Sequence, residues 1–61
     1  MNTKHYEIRL IYYPQVCQWQ VIEVTFSICA DEHRRTIALG DSLNGFEAFK
    51  CAQMEINKLM N

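Results

Sequence analysis

Two apolar runs flank Pro14, and their alternation restricts the fold of this chain more than any other feature. Residues 6–13 read Tyr-Glu-Ile-Arg-Leu-Ile-Tyr-Tyr; residues 19–29 carry Ile22, Val24, Phe26 and Ile28 on alternate positions. Runs of β-branched and aromatic residues with period two are strands. Pro14 and Gln15 open the turn, since proline fixes φ and has no N–H to give to a ladder. A hairpin with Tyr13 opposite Trp19 sets Ile11 against Val21, Arg9 against Glu23 and Glu7 against Thr25. Its other face joins Tyr12 to Gln20, Leu10 to Ile22, Ile8 to Val24 and Tyr6 to Phe26. That register opposes unlike charges and collects an almost wholly apolar face, both favourable for directly facing residues. A one-residue slip would exchange the faces.

Residues 30–33, Ala-Asp-Glu-His, are polar enough for a connection, and 35–39 form a short third strand with Ile37 and Leu39 inward. Matching apolar faces pairs Phe26 with Ile37 and Val24 with Leu39. Gly40 and Asp41 end the strand, and Ser42 is a good N-cap for a helix. Asn44 with Glu47 is a competing capping box two residues later. At 100° per residue Phe49, Ala52, Ile56, Leu59 and Met60 share one stripe, with Phe46 and Ala48 at its margins. Glu47, Lys50, Glu55, Asn57 and Lys58 lie opposite. A helix from Ser42 to its end is about 27 Å long, close to the length of the central strand. The expected architecture is therefore α+β: a two-layer, three-stranded antiparallel β-meander with one C-terminal helix on one face, β-β-β-α. Residues 1–61 make a single small domain.

A chain this short buries roughly 60% of the surface its unfolded form exposes, and oligomerisation is a common way to add to such a core. A homodimer, or another protein partner, is expected. Six Lys and Arg against seven Asp and Glu, scattered along the chain, form no basic stripe; nucleic acid is therefore an unexpected partner. The start, Met-Asn-Thr-Lys-His, is unlike a secretory signal, and no apolar stretch approaches bilayer length. A cytoplasmic protein with no membrane partner follows. Cys17, Cys29 and Cys51 are odd in number and widely spaced, which favours free thiols. Cys29 and His33 with a third cysteine would be the alternative zinc set, but no paired ligand spacing supports it, so no metal and no cofactor are expected. Cys51 is expected to be the most reactive thiol, because it falls among charged residues of the helix.

One helix covers one sheet face and leaves the other to be explained. In the expected register Ile11, Tyr13, Trp19 and Val21 cluster there, and contiguous exposed apolar residues mark interaction surfaces. They are the first candidate partner-binding set; burial under Val16 and the 14–18 turn is the structural alternative. Leu43, Cys51 and Met54, on the polar side of the helix, are a possible secondary contact. His33-Arg34-Arg35 is the one run of basic residues, so Arg34 and Arg35 are possible phosphate contacts. His5 and His33 sit beside no acid at catalytic spacing, Gly40 and Gly45 make no phosphate loop, and no nucleophile motif occurs. No catalytic residue is assigned, and the chain is not expected to be an enzyme.

Leu39-Gly40-Asp41-Ser42-Leu43, followed by Phe46-Glu47-Ala48-Phe49, resembles HicB-type antitoxins. That family joins a strand meander to a helix through Gly-Asp-Thr/Ser-Leu and a Glu-Ala step. The likeness spans the order of elements but only about five specific residues. Residues 27–33 depart from the Pro-rich, Gly-Cys segment of the family, and no operator-binding segment follows within the 61 residues. The resemblance implies a module that masks another protein, such as a toxin ribonuclease. The expected function is thus a small non-catalytic interaction protein, antitoxin-like or inhibitor-like. The alternative is a nucleic-acid-binding module that stacks bases on Tyr13 and Trp19, with Lys4, Arg9, Arg34 and Arg35 on phosphates.

Overall fold

Pro14 and Gln15 are the whole of the first turn. The Tyr13 N–H donates to the Val16 carbonyl at 2.9 Å, and pairing begins at once with Tyr12 opposite Cys17. The computed structural model describes residues 3–29 and 31–60. β1 runs Thr3–Tyr12, β2 Cys17–Phe26 and β3 Glu32–Ser42. They form one antiparallel sheet in the order β1-β2-β3, and helix α1, Gly45–Met60, lies over β2 and touches all three strands. The β-β-β-α architecture is as expected from the sequence.

The register is not. Leu10 faces Trp19 instead of Ile22, Ile8 faces Val21 instead of Val24, and Arg9 faces Gln20 instead of Glu23. The slip is three residues. Because three is odd, it gives Tyr6, Ile8, Leu10 and Tyr12 the opposite face of β2 from the expected one. Both faces of β2 are apolar over half their length: Cys17, Trp19 and Val21 on one, Ile22, Val24 and Phe26 on the other. The helix decides between them. It folds back from Ser42, which pairs with Cys17, and so covers the Cys17 end. There Trp19 and Val21 meet small partners, Gly40 and Ala38 on β3 and Ala52 on α1. Val21, Ala52 and Ile56 form the buried centre, with Tyr6, Ile8, Trp19, Ile37 and Ala38 against it. A large side chain opposite small ones lets the two layers interdigitate.

The third strand is longer than expected, and it pairs differently. Val24 faces Arg34, and Phe26 faces Glu32. The ladder shifts between Val21 and Ile22, whose partners are Ala38 and Thr36. Ile37 is the extra residue of a β-bulge, and both Ile37 and Ala38 reach the core. Part of the expected 30–33 connection, Ala30, lies outside the described residues. The helix starts at the later of the two expected caps, with Asn44 Oδ1 accepting the Glu47 N–H at 2.9 Å. Its buried stripe is Ala48, Ala52 and Ile56. Phe49, Leu59 and Met60 stand half or more exposed; with Ala48 and Ala52 turned to the sheet, Phe49 falls on the flank of the stripe.

Candidate interaction surface

The exposed apolar surface follows from that stripe. With Ala48 and Ala52 inward, Phe46 and Phe49 fall on one flank of the helix and Cys51 on the other. The Ser42 hydroxyl of β3 donates to Cys51 Sγ at 3.7 Å, so the phenylalanines overhang the β1 side. Phe46 is 76% exposed, Phe49 50% and Met54 54%. With Lys50, Gln53 and Asn57 they line an open groove of about 450 Å³. Sequence reading missed this flank because it put Phe49 on the buried stripe and Phe46 at its margin. The signal available was the small-residue spacing Gly45, Ala48, Ala52, which competes with Phe49 for the sheet.

The four residues first expected to form a binding cluster are not brought together. Val21 is fully buried beneath the helix, and Trp19 packs on the same core. Ile11 faces Gln18 on the opposite face of the sheet, and Tyr13 is exposed in the turn. The three-residue slip is the cause. Leu43 is exposed beyond the end of β3, Met54 sits in the groove, and Cys51 is half-buried against Ser42; the three do not make one patch.

Arg34 and Arg35 are successive residues of β3 and therefore point to opposite faces. Arg34 donates to both Glu7 carboxylate oxygens at 2.7 and 3.3 Å and to Glu32 at 3.2 Å. Arg35 lies 3.4 Å and Lys4 3.9 Å from Glu23. These cations are already paired with carboxylates, against their reading as phosphate contacts. The Arg34 hydrogen bonds, helped by one from His5, hold the Glu7 carboxyl well below its usual value of 4.5, at about 2. His5 lies on β1, and its ring lies 5.5 Å from that of Phe26.

A shallow hollow of about 390 Å³ lies at the far end of the sheet between Glu23, Thr25, His33, Arg34 and Arg35; its two arginines are already paired, Arg35 with Glu23 and Arg34 with Glu7 and Glu32. The cysteines are free, with Cys17 buried, Cys51 half-buried and Cys29 exposed. Cys29, and not Cys51, is thus the most accessible thiol. Among the described residues no three His, Cys, Asp or Glu side chains converge on a common point. Nor is any described helix long and apolar enough to cross a membrane. No protein-family model matches the chain, and no curated protein or solved structure does so either.

Proposed function

We propose that this chain is a small non-catalytic interaction module, acting as a homodimer or by masking a protein partner. The observation that supports it is the outward flank of α1, where Phe46, Phe49 and Met54 border one groove. Large aromatic side chains gain most when a partner removes them from water. An antitoxin-like or inhibitor-like role, in the cytoplasm, is one form this reading takes. The nucleic-acid alternative has less support, since Lys4, Arg34 and Arg35 are engaged with Glu7, Glu23 and Glu32 and Trp19 is turned to the helix.

The test compares the native chain with Phe46→Ser/Phe49→Ser by sedimentation velocity and by capture from the native host. Both side chains are half or more exposed, so the variant should keep its circular-dichroism spectrum. An association present in the native chain and lost in the variant is expected. Association unchanged in the variant, or none of either kind in the native chain, overturns the proposal.

A further inference from the structure

The sheet has two edges, and they differ. β3 carries the bulge at Ile37 and the run His33-Arg34-Arg35; bulges and clustered charge are what keep an edge from pairing. β1 is regular. All ten residues from Thr3 to Tyr12 pair with β2 without a shift, so the other side of β1 presents an even row of N–H and C=O groups. The groove flank of α1 overhangs this same edge.

The sequence of β1 is complementary to itself about Ile8. An antiparallel copy placed Ile8 opposite Ile8 sets Glu7 against Arg9 twice, and Tyr6 against Leu10 twice, with no like charges opposed. Arg9 makes no ion pair among the described residues. Pairing about a two-fold axis is isologous, so both helices end on one side of a continuous six-stranded sheet. Each lies over its own β2, and the two β2 strands stand three strand spacings, about 14 Å, apart. Helices in direct contact pack at about 8–10 Å. Gly45 stands over Tyr12 and the two-fold axis runs the helices antiparallel, so across the remaining gap, roughly 5 Å, Phe46 and Phe49 of each copy face the C-terminal half of the other helix.

We propose that the occupant of this surface is a second copy of the chain, joined β1 to β1 in the Ile8-to-Ile8 register, with Phe46 and Phe49 of each helix packed against the C-terminal half of the other. This rests on the reading of the chain as an interaction module and names its partner. Sedimentation equilibrium is expected to give twice the 7.2 kDa chain mass. Arg9→Glu opposes two carboxylates at each Glu7 and should weaken self-association roughly tenfold or more. Glu7→Lys opposes cations and should do the same, while an equimolar mixture of the two variants restores both attractive pairs and dimerises. Glu7→Lys also removes the Arg34 bridge, so a second measurement uses the native chain alone: β1 amides should become more protected from hydrogen exchange as concentration rises. A monomer at every concentration, a variant mixture that folds but stays monomeric, or a dimer whose β1 exchange ignores concentration overturns the proposal. In each of those cases, an association with another protein that is lost in Phe46→Ser/Phe49→Ser would leave the interaction-module reading standing.

Discussion

Arg34 of β3 grips both carboxylate oxygens of Glu7 on β1, so one ion pair spans the central strand and ties the two sheet edges together. It crosses the face that has no helix. Their β2 partners, Val24 and Ile22, lie on that face and are nonetheless 0% and 6% exposed. A polar strap over apolar side chains lets a sheet of three strands keep its second face in water, with the arginine stem covering carbon and its head staying solvated.

The strap should make stability depend on acid. The folded-state value of Glu7 is lowered, from 4.5 to about 2, so its contribution is complete above pH 4.5 and is lost as pH falls toward 2. The pair is half-exposed, so salt should weaken it as well. Melting temperature against pH should fall more steeply across this window for the native chain than for Glu7→Gln. A Glu7 side-chain carbon resonance that titrates near 4.5 would mean the strap does not form in solution.

Gly40 should be far less replaceable than Gly45. A Cβ on Gly40 would sit 2.7 Å from Trp19 Cζ2 and 2.8 Å from Cε2, against a ring held in the core. Gly40→Ala should therefore cost about 1–3 kcal/mol in chemical denaturation, as overpacking does, and shift the emission of the only tryptophan. A Cβ on Gly45 meets the hydroxyl end of Tyr12 at 2.6 Å, but that ring is 69% exposed and can swing into water. Gly45→Ala should be tolerated. Equal costs for the two would contradict the seating of Trp19 on Gly40.

The three thiols should react in the order Cys29, Cys51, Cys17. Cys29 is exposed in the β2–β3 turn, Cys51 is half-buried with its sulfur against the Ser42 hydroxyl, and Cys17 is 1% exposed. With an aromatic disulfide reagent in native buffer, one fast and one slower equivalent are expected, and the third only on denaturation. A Cys17 that reacts in the folded protein would place β2 in a different register.

Period-two alternation about Pro14, a capping box at Asn44 and helical spacing beyond it determined three strands and a helix, and with them the order β-β-β-α. Local chemistry is enough for that, because strand, turn and cap each depend on neighbours within a few residues. Register was beyond its reach. Both faces of β2 are apolar over half their length, so pairing hydrophobic faces admits two answers three residues apart. Only the docked helix chooses, by bringing Ala52 down where Trp19 and Val21 stand opposite Gly40 and Ala38. The same contact moved the binding surface. With Trp19 drawn inward the expected cluster dissolved, and the small stripe that received it left Phe46 and Phe49 facing water, a consequence of packing between segments twenty to thirty residues apart that no local pattern records.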